Sequence, residues 1–161
     1  MATETLSSSW QPCGALHVAV YGTLRAGGVN DIARLQPGIA PVGTAVLTGT
    51  LHDLGWYPGL CLAGSQPVLA EVYALDPVLE RALDGIEGLW PEDLGEYAKR
   101  LLELPVTLAG GGVRTLTALV YEALPPAVHG TPVIPASDWL AWFAQTGRGL
   151  PGGDFQLRSH G

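Results

Sequence analysis

The sequence predicts an α+β domain built on a curved mixed sheet or small β-barrel with flanking helices. Segments of strand character outnumber helical ones, and they do not alternate regularly with helices as in a doubly wound fold. A glycine-rich turn at 109–112 also joins two such segments as a hairpin. At 161 residues the chain has the length of one domain. We expect this domain at 14–146, with flexible tails at 1–13 and 147–161.

The strand predictions depend on apolar runs rich in Val, Leu and Tyr. Such runs occupy 16–21, 42–51, 59–63, 68–75, 97–108 and 113–121. The first run meets Gly22, which predicts a tight turn, and a short helical stretch is expected at 30–35. The chain should therefore begin with a strand, a turn and a helix.

Two longer helices are predicted from their end signals and apolar spacing. Asp76 and Pro77 are typical of an N-cap and first helical position, and Gly88 ends that helix. Its apolar stripe has the spacing i, i+3, i+4 and i+7: Leu79, Ala82, Leu83 and Ile86. The last helix can start at Ser137 and ends before Gly147. It carries Trp139, Leu140, Trp142 and Phe143.

Composition excludes several classes of partner. The formal charge is −7, with only eight Lys and Arg and no basic cluster, so neither nucleic acid nor an anionic membrane is expected to bind. No apolar run reaches the roughly 18 residues of a membrane span, and the N-terminus lacks a basic signal region, so we expect a cytoplasmic protein. Cys13 and Cys61 are expected to be free thiols. Ligand-type residues lack metal-site spacing, and no metal or organic cofactor is expected.

The turn after the first strand is a candidate anion site, formed by Tyr21, Gly22, Thr23, Leu24 and Arg25. A strand that ends in a glycine turn can direct several backbone N–H groups outward together, and such a group of amides binds carboxylate or phosphate. The alternative is an ordinary turn in which Arg25 is a solvated charge.

Two glutamates are candidate proton carriers. Glu87 lies at the border of the apolar stripe, where it could be half-buried and act as a base, or could simply be solvated. Glu71 lies in a predicted strand on the face opposite Val72, either exposed or as a second carboxylate of the site. Cys61, with His52 as base, is a further candidate nucleophile, although an apolar segment favours a small core residue.

Several spaced motifs together resemble the γ-glutamylcyclotransferase-like superfamily, especially its small bacterial members, the γ-glutamylamine cyclotransferases and AIG2-like proteins. The matching segments are 21–25 with Gly27 and Asn30, 51–55 with 57–59, 68–73, and 83–88. They are similar to the family patterns YGTL-(K/R)-x-G-x-x-N, L-x-D-L-G-x-Y-P-G, V-x-G-E-V-Y and L-D-x-x-E-G. The resemblance spans about two-thirds of the chain.

The resemblance implies an enzyme that releases 5-oxoproline from a γ-glutamyl amine, amino acid or peptide. The backbone of residues 21–24 would bind the α-carboxylate, and Glu87 would be the general base. The expected partner is thus a small γ-glutamyl substrate, and a homodimer is compatible with the sequence. The resemblance implies no metal or cofactor.

The sequence departs from the family pattern at two places. Ala70 stands where the family usually has glycine. The family's Tyr-x-Arg reads Tyr97-Ala98-Lys99-Arg100, so either Lys99 replaces the arginine or the strand has a one-residue bulge. Two other functions remain open, since sites rather than folds carry function. One is a non-catalytic module that binds small anions, and the other is an interaction protein that uses the aromatic last helix.

Overall fold

The computed structural model describes residues 10–148. The predicted tails at 1–13 and 147–161 fall largely outside this range. The strands are β1 His17–Val20, β2 Gly43–Asp53, β3 Pro58–Ala74, β4 Tyr97–Leu108 and β5 Val113–Ala123. The helices are α1 Pro77–Ile86, α2 Pro125–Val128 and α3 Trp139–Thr146, and a 3₁₀ helix covers Ile32–Arg34.

The five strands form a closed barrel in the order β1-β3-β2-β4-β5, which confirms the predicted α+β fold with a small barrel and flanking helices. Neighbouring strands are antiparallel, except that β1 returns to β5 in parallel over His17 and Val18. β2 and β4 meet at only two residue pairs, Gly43 with Leu108 and Thr44 with Thr107. The barrel therefore closes on that side through a very short contact.

The first strand is apolar from Val18 to Val20, and both of its faces are covered there. Ala19 packs inside the barrel, while Val18 and Val20 pack on the outer face with α1. The same alternation holds on β5, where Val120 points inward and Leu119 outward. Burial on both faces explains why these segments lack the polar alternation of a half-exposed strand.

Two predicted strands, 59–63 and 68–75, are parts of the single long strand β3. The register with β2 shifts between Gly49 and Thr50, so that Gly49 pairs with Gln66 and Thr50 with Cys61. Thr50 Oγ1 donates a hydrogen bond to Ala63 O at 2.8 Å across this irregularity. The residues between the two predicted strands thus belong to an irregularity within one strand.

The helix α1 begins as predicted, because the Asp76 side chain accepts a hydrogen bond from Leu79 N at 2.8 Å. One member of its predicted stripe is wrong, since Ala82 is exposed. The buried face includes Glu80 and Asp84 instead. The apolar stripe is thus rotated toward two acidic residues.

The prediction for the last helix is confirmed apart from its first residue. Asp138, not Ser137, is the N-cap of α3, and Gly147 ends the helix with φ 70°. Trp139 is buried and stacks on Phe143 with 4.8 Å between ring centroids. The aromatic face of α3 therefore packs on the barrel. Within residues 10–148 no helix is long and apolar enough to cross a membrane.

Replacing Gly43 by Ala should destabilise the closure of the barrel. A Cβ atom at this position would lie 2.2 Å from Thr107 O and 2.8 Å from Val106 Cγ1, in the short contact between β2 and β4. Overpacking of this kind costs about 1–3 kcal/mol. The control is Gly110→Ala, since a Cβ there has no neighbour within 4 Å. Urea unfolding of both variants checks this, and equal stabilities would contradict it.

Candidate functional site

The loop after β1 consists of turns and does not continue directly into a helix. Arg25 N donates to Gly22 O at 3.1 Å, which closes a turn, and the 3₁₀ helix begins only at Ile32. The expected helix at 30–35 is therefore shorter than predicted. Downstream amides engage the next carbonyl groups: Thr23 O accepts from Asn30 N at 3.0 Å, and Leu24 O from Ile32 N at 2.9 Å.

These bonds engage the carbonyl groups of the loop but leave two of its amides without a protein acceptor among the described residues. The carbonyl oxygens of Gly22, Thr23 and Leu24 are bonded to the protein. By contrast, the amides of Gly22 and Leu24 donate to no protein acceptor within residues 10–148. A turn whose carbonyl groups are engaged and whose amides are not has the polarity of an anion site. Binding of an anion there remains a prediction.

Arg25 is buried and bonds to two carboxylates of the protein. Its Nε lies 3.1 Å from Glu71 Oε2, and its Nη1 lies 2.9 Å from Asp138 Oδ1. Glu71 Oε1 also accepts from Ala26 N and from the Tyr73 hydroxyl, both at 2.8 Å. Glu71 is thus an anchor of the loop, with both oxygens engaged. The solvated alternative for Arg25 is wrong, and its role in substrate binding remains a prediction.

Two pKa shifts reflect this anchoring. Burial tends to raise the pKa of Asp138, but hydrogen bonds from the Ala141 amide and from Arg25 lower it overall. Burial, followed by the hydrogen bond to Glu71, raises the pKa of Tyr73. Asp138 is therefore a carboxylate at neutral pH. The Tyr73 hydroxyl stays protonated and donates a hydrogen bond to Glu71.

Glu87 is the C-cap of α1, and its side chain is 0% exposed. The alternative of a solvated border residue is therefore wrong. Its amide donates to Leu83 O at 2.9 Å, and Gly88 then turns the chain away with φ 75°. This abrupt end of the helix leaves the Glu87 side chain inside the protein, where water does not reach it.

The charge of Glu87 acts on three buried tyrosines. Burial is the main cause that raises the pKa of Tyr21, Tyr97 and Tyr121, and the charge of Glu87 contributes in each case. Tyr21 is the first residue of the candidate loop, and its hydroxyl accepts from Leu60 N at 3.1 Å. It also donates to the carbonyl of Tyr121 at 2.9 Å. Ile86, which precedes Glu87, belongs to the same buried cluster as Leu24 of the loop, so the end of α1 and the loop pack on one side of the barrel.

A polar cluster on the same helix was not predicted from the sequence. Glu80 and Asp84 are 1% and 2% exposed, and Lys99 Nζ lies 2.5 Å from Glu80 Oε2 and 2.8 Å from Asp84 Oδ2. The Tyr121 hydroxyl donates to Asp84 Oδ1 at 2.7 Å. With Glu87, the two acids occupy positions i, i+4 and i+7 of one helix face. That spacing beside an apolar stripe was the available signal.

Part of the predicted N-terminal tail packs on this cluster. Trp10 Nε1 donates to Asp84 Oδ2 at 2.8 Å, and Cys13 N donates to Glu80 Oε2 at 2.9 Å. Residues 10–13 therefore add donors to the acidic face of α1. The expected flexibility of 1–9 and 149–161 concerns residues that lie outside the described part of the chain.

The two departures from the family pattern now have a structural account. The pairing of β4 with β5 is continuous, with Lys99 opposite Tyr121 and Arg100 opposite Val120, so the strand has no bulge there. Lys99 is thus the cation that pairs with the acidic residues of α1. Burial tends to lower the pKa of Lys99, but Asp84 and Glu80 raise it overall. Ala70 is 0% exposed and packs in the barrel interior.

The structure does not support a cysteine nucleophile. Burial raises the pKa of Cys61, whose Sγ donates to Ala123 O at 3.3 Å, while His52 Nδ1 is bonded to Thr131 Oγ1. Cys61 is therefore not an activated nucleophile. Both cysteines, Cys13 included, are free thiols. Between residues 10 and 148, no three His, Cys, Asp or Glu residues are grouped so as to hold a metal ion.

Comparisons with known proteins show the family and the fold of the chain. The sequence model of the family described as gamma-glutamyl cyclotransferase, AIG2-like, matches residues 18–141. The fold is similar to that of an AIG2-like protein from Mus musculus, with 24% identity, a TM-score of 0.58, and coverage of 77% of this chain and 88% of that one. A search of curated proteins found no match.

Two further solved structures have the same fold. Protein YtfP of Escherichia coli is 29% identical, with a TM-score of 0.52, and the match covers 78% of this chain and 96% of that one. An uncharacterized protein of Pyrococcus horikoshii is 20% identical, with a TM-score of 0.53 and coverage of 82% and 96%.

Replacing Lys99 by Met should cost about 3–5 kcal/mol of stability, because it leaves two buried carboxylates without their cation. The loss should lie at the low end of that range, since Tyr121, Trp10 and the Cys13 amide still donate to these carboxylates. The matched control is Arg100→Met on the same strand. Its guanidinium pairs with Glu122 and is 46% exposed, so we expect a loss below about 1 kcal/mol. Urea unfolding compares the two, and similar losses would contradict a structural role for the Lys99 cluster.

Proposed function

Because the chain belongs to the gamma-glutamyl cyclotransferase, AIG2-like family, we propose that it releases 5-oxoproline from a γ-glutamyl amine, amino acid or peptide. The observation that supports this proposal is the position of Glu87. Its carboxylate is buried, and Ile86, the residue before it, packs in the same buried cluster as Leu24 of the Tyr21–Arg25 loop. A base next to an anion site is the arrangement that this reaction requires.

In this proposal the loop binds the α-carboxylate of the γ-glutamyl group. The amides of Gly22 and Leu24 donate to it, within the backbone cradle formed by Tyr21 to Leu24. Arg25 acts on this site through its bonds to Glu71 and Asp138, which match its charge and hold the turn in shape. The α-amine, which shares a carbon with this carboxylate, is then fixed in position as well.

The chemistry is an intramolecular acyl transfer. Glu87 takes one proton from the α-ammonium, and the free amine attacks the γ-carbonyl carbon of the same molecule. The bond from that carbon to the leaving nitrogen then breaks as Glu87 returns the proton to it. A second proton leaves the ring nitrogen as the lactam forms and ends on the released amine, which becomes an ammonium. Since both reacting groups belong to one molecule, the protein mainly fixes their conformation and carries protons.

Burial has two consequences for this mechanism. Water is excluded from Glu87, so a proton held there passes to the substrate and not to solvent. A side chain that is 0% exposed also cannot contact a solute unless its neighbours move. Binding should therefore require displacement of groups that pack over Glu87 and over the loop.

Glu87→Gln should abolish release of 5-oxoproline while ligand binding at the loop is retained. The amide has the size of the carboxylate but cannot accept a proton from the α-ammonium. Losing a general base costs on the order of 10²–10⁴ in rate. Purified protein incubated with a panel of γ-glutamyl compounds, with 5-oxoproline as the measured product, checks this.

The matched control is Glu80→Gln, which also changes a buried carboxylate on α1 but keeps Glu87. If stability alone determined activity, both variants would lose release in proportion to their unfolding free energies. Undiminished release by Glu87→Gln would eliminate Glu87 as the base. A wild-type protein that binds γ-glutamyl compounds but releases no 5-oxoproline from any of them would support the alternative, a non-catalytic anion-binding module.

A further inference from the structure

Asn30 carries a buried hydrogen-bond acceptor that the protein does not use. The residue is 2% exposed and follows the turns of the candidate loop. Its backbone N–H donates to Thr23 O at 3.0 Å, and its side-chain Nδ2 donates to Thr23 Oγ1 at 3.1 Å. Its Oδ1 is buried and has no hydrogen-bond partner among the described residues.

A buried carbonyl oxygen without a donor is uncommon, because it has lost its bonds to water and gained none in return. Such an atom points to a donor that is supplied from outside the chain. The backbone N–H and the side-chain Nδ2 of Asn30 both donate to Thr23, so its carboxamide lies against the candidate loop. The orphan acceptor and the unbonded amides of Gly22 and Leu24 thus belong to one small region.

We propose that Asn30 Oδ1 accepts a hydrogen bond from the α-nitrogen of the γ-glutamyl group. This inference rests on the proposed function and assigns a binding residue to the amine. A γ-glutamyl group carries its carboxylate and its amine on one carbon, so a site that fixes the carboxylate at the loop has the amine close by. Of the protons on that nitrogen, two leave during the reaction and one stays in the lactam. A hydrogen bond from the retained N–H to Asn30 would hold the nitrogen with its lone pair toward the γ-carbonyl carbon.

The type of side chain suits this role. The carboxamide oxygen is neutral, so it accepts an N–H without repelling the neighbouring carboxylate and without taking up the proton. An aspartate there would bind the ammonium more strongly but would repel the carboxylate. Glu87 thus accepts the proton, and Asn30 orients the nitrogen.

The test compares two ligands that differ only in the α-amine, L-glutamine and glutaramate. Their dissociation constants are measured by ligand-observed NMR, in which released 5-oxoproline also appears. Wild-type protein should prefer L-glutamine, and Asn30→Ala should reduce that preference roughly three- to tenfold, the value of one hydrogen bond. Thr23→Val is the control: it removes the acceptor of the Asn30 Nδ2 bond but keeps Asn30 Oδ1. It should weaken both ligands by similar factors and preserve the preference.

Asn30→Asp covers the case in which the Ala variant does not fold. It should increase the preference for L-glutamine, because the added charge attracts the ammonium and repels the shared carboxylate. An unchanged preference in Asn30→Ala would overturn the inference, whether the cause is a bound water at Oδ1 or a carboxamide that directs its amino group to the carboxylate. So would an unchanged preference in Asn30→Asp. Failure of the proposed function gives a different result: wild-type protein would show no preference for the amine and no release of 5-oxoproline.

Discussion

The ion pairs of Lys99 with Glu80 and Asp84 are the interaction on which the candidate site depends. They allow one face of α1 to carry acids at three positions and still pack against the barrel. Without the cation, two buried carboxylates would repel each other at the centre of that contact. Glu87 is the C-cap of the same helix, so the helix that this cluster holds against the barrel also carries the proposed base.

A second set of ion pairs holds the other half of the site. Arg25 bonds to Glu71 on β3 and to Asp138 at the start of α3, and Glu71 also bonds to the Ala26 amide. These contacts tie the loop to two elements that are distant in sequence. The loop is thus fixed by buried charges, and Tyr21, its first residue, is bonded through its hydroxyl to β3 and β5.

Much of the fold followed from local patterns, whereas the contacts inside the site did not. Apolar runs and end signals identify strands and helices, because the physical causes lie within a few residues. The continuity of β3 was missed because its bulge depends on pairing with β2, which no local pattern shows. The burial of Glu87 was also missed. It depends on how α1 packs against the barrel, where Asp84 meets Lys99 of β4 and Tyr121 of β5, and no local pattern shows this packing.

The claim that the loop and Glu87 form one site is tested most directly by a crystal structure with 5-oxoproline. We predict that the carboxylate of 5-oxoproline lies within hydrogen-bond distance of the Gly22 and Leu24 amides, about 3 Å. A ring atom should lie within about 3.2 Å of a Glu87 carboxylate oxygen. Binding of 5-oxoproline away from the loop, or at the loop with Glu87 out of reach, would contradict the account.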